Sequence, residues 1–478
     1  MSKILIVSEA LGEPNHRRGI FHFTRDLVRS LAPQGHELTL LVETSARYRR
    51  LRRRQKQVRL FAEGNRLIEL LALYRFLDEV DMTKPAPRSA LRRQLRWCRE
   101  RLQRVLSLDF ALAFLRATRL LPTRTVRIGN DPDQFAYVPP HLRHLSLFRD
   151  FLLEPGFYGF QDVSALLRLP PPVIDARGYD VVLLDTPVRV KLKRSVSTRV
   201  IGVVHDLLPL TDLKLSDEAT RVFLSRLESS LAQVSELAFV SNHSLQLFRE
   251  LLPHFARVPA RVVHPRTSFA SLPDLPSPQT GRPSFVVIVS AEPRKNLPTV
   301  VQAFRRLPQA DLVVIGQTGI PQAQLDLPSN VRLAGYVDDD EKARLIATAH
   351  GLIMPSHAEG FGIPIIEALA AQTPVLCSDI PVFREVAGDL ADYFDPFSPA
   401  SLAASVERVI AGQDERRERI RDRHAELSSR FGLEKQADDL LAPRPATDVL
   451  ARALQQQAAG RAISLSCRLQ AQLDGTPT

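Results

Sequence analysis

His357-Ala358-Glu359-Gly360-Phe361-Gly362-Ile363-Pro364-Ile365-Ile366-Glu367-Ala368-Leu369 holds two glutamates eight residues apart around a Gly-Phe-Gly-Ile-Pro loop. Gly360 and Gly362 let the backbone come close to a ligand. Pro364 suits the first helical position, where its fixed φ is already helical and its missing N–H is not needed. The spacing predicts a strand-to-helix turn whose helix start offers free N–H groups to an anion. Glu359 and Glu367 add acceptors for hydroxyl groups on either side. A ligand with both phosphates and sugar diols matches this set, whereas the loop taken alone also reads as an ordinary turn.

The pattern continues outward. Upstream lie Ala291-Glu292-Pro293-Arg294-Lys295-Asn296-Leu297, Val314-Ile315-Gly316 and Leu333-Ala334-Gly335-Tyr336-Val337. Downstream come Thr373-Pro374-Val375, Ser378-Asp379-Ile380-Pro381, Glu385-Val386-Ala387-Gly388 and Tyr393-Phe394-Asp395-Pro396. Glu359 to Glu367 resembles the E-x-x-x-x-x-x-x-E motif of the retaining glycosyltransferase family 4. The flanking blocks extend the resemblance over residues 285 to 412, with the likeness directed to enzymes that transfer mannose and related hexoses. It implies an α/β, GT-B fold, in which two Rossmann-like domains face each other across a cleft.

The resemblance also implies roles. Arg294 and Lys295 are placed on the donor diphosphate, a task that suits a planar guanidinium fork and a compact ammonium charge. Glu359 faces the donor sugar, Glu367 takes the ribose hydroxyls, and Gly360, Phe361 and Gly362 line the donor loop. In Val203-Val204-His205-Asp206-Leu207-Leu208-Pro209, the His205-Asp206 pair forms the N-terminal wall, with the histidine near the transferred sugar. Without the resemblance, a histidine at a strand end reads more readily as a structural hydrogen-bonder. Gly19, in Arg17-Arg18-Gly19-Ile20, stands where relatives often carry Gly-Gly-Ile against the donor phosphate or acceptor. One departure is Val289-Ser290, where the family usually has Gly-Thr. Ser241, Asn242 and His243 also follow an apolar run and read as lining the cleft, while Asn242 reads equally as a helix cap.

The family mechanism retains anomeric configuration through front-face displacement, the departing phosphate helping to deprotonate the acceptor hydroxyl. It needs no cofactor or metal, and no D-x-D-like motif stands in an obvious donor loop. GDP-mannose is the expected donor, and a glycan or lipid-linked glycan the expected acceptor. An inverting reaction would need a base on the opposite face, for which Asp206 or His205 is nearest. A catalytically degenerate nucleotide-sugar binder is the competing reading.

The 478 residues, 44% of them hydrophobic, suffice for two cores. Pro265, Pro273, Pro276, Pro278 and Pro283 mark a linker between an acceptor domain, residues 1 to 270, and a donor domain, 284 to 442. Alternating short apolar and helical runs on both sides predict parallel sheets wrapped by helices. Residues 47 to about 175 show no strand rhythm and read as a helical insertion. Residues 443 to 478 read as a partly helical tail; that tail or the segment Asp414 to Leu441 reads as a final helix returning to the first domain, and the tail reads equally as a mobile end.

Three cysteines without metal-ligand spacing fit a reduced cytoplasmic compartment. The opening apolar run reads as a buried strand instead of a secretion signal, and no charge-free stretch is long enough to span a membrane. Residues 1 to 120 hold 25 Lys or Arg against 12 Asp or Glu, a balance of +13, while the whole chain carries +11. The basic runs at 47–56 and 92–104 read either as an interfacial helix on an anionic inner leaflet or as a solvated face over a packed helix. Nothing resembling a nucleic-acid motif accompanies them, so no nucleic-acid partner is expected.

Overall fold

The computed structural model describes residues 1–11, 19–44, 108–118, 126–129, 140–211, 217–269, 281–318 and 326–442. Among the described residues, ten strands precede residue 270: β1 (Lys3–Val7), β2 (Glu37–Thr44), β3 (Val126–Gly129), β4 (Asp150–Pro155), β5 (Val173–Asp175), β6 (Val181–Leu184), β7 (Lys191–Lys193), β8 (Arg199–Val204), β9 (Glu236–Phe239) and β10 (Ala260–Val262). Among the described residues, eight of them form one sheet in the order β10-β9-β8-β6-β1-β2-β4-β3, parallel throughout except for β3 at the edge. β5 and β7 pair separately.

A continuous apolar strand serves both faces of such a sheet because successive side chains alternate. In β1, Ile4 and Ile6 enter one buried cluster while Leu5 and Val7 enter another. Beyond the linker come β11 (Ser284–Val289), β12 (Asp311–Gly316), β13 (Val331–Gly335), β14 (Gly351–Met354), β15 (Val375–Ser378) and β16 (Ala391–Phe394). They form an all-parallel sheet in the order β13-β12-β11-β14-β15-β16. Val286 of β11 faces one core, and Phe285, Val287 and Val289 face the other. Two doubly wound sheets, each clothed in helices, make the GT-B architecture.

One sequence expectation needs correction. The reading of 47–175 as helical does not hold through its C-terminal part, because the strands β3, β4 and β5 lie there among the helices Leu108–Ala117 and Phe157–Leu166. β4 runs beside β2 from Thr39↔Asp150 to Thr44↔Pro155, as a full member of the first sheet. Its sequence, Asp-Phe-Leu-Leu-Glu-Pro, has three apolar residues between acids and a proline, too short a run to reveal a strand period. Both basic runs and the tail from residue 443 lie outside the described residues.

The chain crosses between domains twice. Thr267 donates its N–H to the Phe431 carbonyl at 3.0 Å and forms a parallel bridge with Gly432, so the outgoing and returning segments lie side by side. The last described helix, Gln436–Leu441, then packs on the first domain. Its Gln436 side chain donates to the Phe23 carbonyl at 3.2 Å, and Arg199 donates to the Leu440 and Leu441 carbonyls. The expected return thus occurs within Asp414 to Leu441. Among the described residues no helix is long and apolar enough to cross a membrane.

Candidate active site between the domains

In the second sheet the strand order reverses between β11 and β14. Loops leaving neighbouring strands at such a point diverge and open a crevice beyond the carboxyl ends. The loop after β11 carries Arg294 and Lys295 in a 3₁₀ turn, Pro293–Lys295, and the loop after β14 carries residues 357 to 362. His357 N–H donates to the Arg294 carbonyl at 2.9 Å. Buried Asn296 donates from Nδ2 to the carbonyls of Pro355 and Pro396, at 3.1 and 2.7 Å. These bonds hold the two loops together.

Their charges meet at Glu359. Lys295 Nζ lies 2.6 Å from its Oε1 and Arg294 Nη1 2.7 Å from its Oε2. Burial pushes the Glu359 carboxyl up, but Lys295 and then Arg294 outweigh it and hold the group below the usual carboxylate range. Two cations share one anion here, and Glu292, itself mostly exposed, is the other carboxylate on Arg294. The four groups sum to zero charge, with both cations gathered on the one carboxylate of Glu359.

The first sheet reverses order between β1 and β6, and the residues after those strands meet in the same way. Asp185, fully buried, accepts hydrogen bonds from Ser8 Oγ and Thr24 Oγ1, both at 2.6 Å. His205, after β8, places Nε2 at 2.9 Å from the Asp185 main-chain oxygen. A carbonyl only accepts, so Nε2 carries the proton in this bond. The Phe23 ring meets the imidazole edge to face at 4.9 Å. Asp206 is half-buried, and desolvation raises its carboxyl above the usual range while the hydrogen bond from the Leu208 N–H and then Arg294 of the second domain pull the other way.

Gly360 is where the two walls touch. A Cβ at this position would lie 2.1 Å from the His205 carbonyl oxygen and 3.1 Å from Asp206 Cβ, so only glycine lets the backbones approach this closely. The Gly360 carbonyl accepts from Ser241 Oγ at 2.8 Å. Gly362, at φ +100°, turns the chain into the helix Ile363–Ala370, in which Pro364 is the second residue. Gly19 opens the helix Gly19–Leu31, and a Cβ there would meet Ile363 Cδ1 at 3.6 Å.

Glu367 lies one turn into the donor-loop helix. Its Oε1 accepts from Lys342 Nζ at 2.8 Å, while buried Oε2 has no hydrogen-bond partner. Burial pushes its carboxyl up, but Lys342 outweighs this and keeps it low. His22 of the first domain belongs to the same cluster, its pKa lowered to about 4 by burial, then by Lys342 and Arg25. Arg25 pairs with Asp339 across the domain boundary at 2.9 Å.

His205, Asp206, Arg294, Lys295, Glu359 and Gly360 therefore converge, with Gly19, Gly362 and Glu367 around the adjoining helix start. Phe361 stands in the same loop. Its ring is buried against His264 and Phe431, at centroid distances of 5.6 and 6.0 Å, so this position offers a ligand only backbone. Asp185, His22 and Lys342 were absent from the sequence reading, which had Ser241 only among the residues that follow an apolar run. Asp185 follows the apolar run Val181 to Leu184 just as His205 follows Val200 to Val204, a signal that would have found it. Lys342, in an acidic helix start, carries no such signal. Among the described residues no group of three or more His, Cys, Asp or Glu side chains is arranged to hold a metal ion.

Residues 276–426 match the family profile described as Glycosyl transferases group 1. Over 141 residues the chain is 33% identical to the serotype-specific mannosyltransferase WbdA of Escherichia coli, covering 27% of this chain and 17% of that protein. Over 155 residues it is 31% identical to the O-antigen chain mannosyltransferase B of Escherichia coli, covering 30% of this chain and 41% of that protein. The chain thus spans well under half the length of these curated relatives. Among solved structures, sucrose-phosphate synthase from Thermosynechococcus elongatus superposes with a TM-score of 0.53 at 14% identity, covering 96% of this chain and 100% of that one, a likeness of fold. The match to the group 1 glycosyl transferases thus covers residues 276–426, the stretch that holds the donor-loop glutamates, and the two-sheet architecture is that of the GT-B fold.

Proposed function

We propose that the chain transfers a mannose-like hexose from a nucleotide-sugar donor, GDP-mannose as first choice, to a glycan or lipid-linked glycan, retaining anomeric configuration. The observation that carries this reading is Glu359 held between Arg294 and Lys295 on one wall while Gly360, the next residue, abuts His205 and Asp206 on the other. In this reading the basic pair neutralises the departing diphosphate without a metal ion, acting where charge grows in the transition state. Glu367 Oε2, buried and unpartnered, accepts a ribose hydroxyl. His205, its Nε2 proton engaged by Asp185, offers Nδ1 as an acceptor to a hydroxyl of the transferred sugar.

The departing phosphate takes the acceptor proton on the same face. The names of relatives that build O-antigen chains support a polysaccharide or lipid-linked acceptor at the cytoplasmic membrane surface. The test is incubation with a panel of GDP- and UDP-sugars, following nucleoside diphosphate release with and without chelator, and NMR of the product anomer. No release from any donor would defeat the reading, and a product of inverted configuration would move the base role to Asp206 or His205.

A further inference from the structure

Glu385, on the helix Pro381–Ala387 of the second domain, reaches across to the first. Its Oε1 accepts from the Asn242 N–H at 2.7 Å and from Asn242 Nδ2 at 3.0 Å, and its Oε2 accepts from the His243 N–H at 2.9 Å. His264 Nε2 stands 3.3 Å from Oε1. Asn242 and His243 begin the helix Asn242–Leu251, whose N-cap Ser241 accepts from the Ser244 N–H at 3.0 Å. A helix start leaves its first N–H groups without intrahelical partners. Here a carboxylate from the opposite domain satisfies two of them, at the end of the helix where negative charge is favoured. Burial pushes the Glu385 carboxyl up, but the hydrogen bonds from His264 and from the amides of Asn242 and His243 outweigh it and bring the pKa to about 2.

The same helix start also holds the donor loop, because the Ser241 hydroxyl donates to the Gly360 carbonyl. One end of one helix thereby grips the second domain at two points, Glu385 and Gly360. The Arg430 guanidinium fixes the Glu385 backbone in turn, donating to its carbonyl at 2.6 Å.

We propose that Glu385 is a positioning residue: it clamps the Asn242–Leu251 helix to the second domain, so that Ser241 holds Gly360 in register and Glu359 stays opposite His205. Its consequence for catalysis rests on the function proposed above, but the clamp itself is read without turnover. Hydrogen exchange on the full chain, without donor, would follow peptides covering residues 241–244 and 357–363. In Glu385→Ala both should exchange about tenfold faster or more, as expected for losing at least one charged hydrogen bond. Glu385→Gln, which keeps one acceptor oxygen, should fall between. Ser241→Ala removes the bond to Gly360 and the cap on the Ser244 N–H while leaving Glu385 in place, so it should also speed both peptides, and it guards against a misfolded Glu385 variant.

With the donor identified, Glu385→Ala should lower kcat by about tenfold with the melting temperature of the second domain unchanged, and Glu385→Asp should restore part of it. Unchanged exchange at 357–363 in Glu385→Ala would overturn the proposal. So would faster exchange there with undiminished turnover. A wild type that transfers no sugar, yet shows both peptides protected until Glu385 is removed, would leave the clamp standing and defeat only the functional reading.

Discussion

Replacing Gly360 by alanine tests the meeting of the two walls directly. The added methyl would sit 2.1 Å from the His205 carbonyl oxygen, where ordinary contact begins near 3.4 Å, so the walls must part by about 1.3 Å. The obstacle is main chain at the end of β8, and no rotamer change removes it. A displacement of that size takes the Ser241 bond to Gly360, now 2.8 Å, out of hydrogen-bond range. A misplacement of about 1 Å in a reacting site costs on the order of 100-fold in rate, equivalent to about 2.7 kcal/mol. Stability should suffer much less, since the contact lies between domains and one neutral hydrogen bond contributes about 1 kcal/mol.

The assay is steady-state transfer kinetics beside a thermal melt. Gly360→Ala should lose about two decades of kcat/KM while melting near the wild-type temperature. Gly362→Ala is the contrast: at φ +100°, with Phe383 Cε1 at 2.8 Å from the new Cβ, the strain falls inside the second domain and should lower the melting temperature. If Gly360→Ala kept wild-type kcat/KM, the two walls would not form one site as reasoned.

Glu367→Ala should weaken donor binding by roughly 1.5 to 3 kcal/mol, and unchanged affinity in calorimetry would argue against the ribose role. Lys295→Ala should act chiefly on kcat, because the leaving diphosphate gains charge in the transition state; a rise in KM alone would refute that. His22 gives a pH signature. Its pKa falls from the model-compound 6.5 to about 4 in the folded chain, so below pH 6.5 the unfolded state binds the extra proton and stability declines as pH drops towards 4. The slope is at most about 1.4 kcal/mol per pH unit. Melts of wild type and His22→Asn between pH 7 and 4.5 should therefore converge as pH falls, and parallel curves would count against a neutral buried imidazole.

Most of the second domain was legible because its strands are unbroken runs such as Val286 to Val289 and Leu312 to Ile315, each followed by turn chemistry and a helical period. Arg294, Lys295 and Glu359 could be placed for the same reason, since each directly follows a readable strand. β4 escaped notice because sheet partnership, rather than its own composition, makes Asp150 to Pro155 a strand. Phe361 could be placed in the donor loop, but not the direction of its ring, which packing with His264 and Phe431 decides. Asn242 was left between cap and cleft. Its amide is in fact met by Glu385, 143 residues later, a pairing with no local trace.

The side-by-side crossing at Thr267 and Gly432 limits how the molecule can open. Two covalent strands joined by their own hydrogen bond act as a single hinge line, so the halves can swing through an angle but resist sliding past each other. A swing of one domain about this line would have one main coordinate, and the contact of Gly360 with His205 would be its stop.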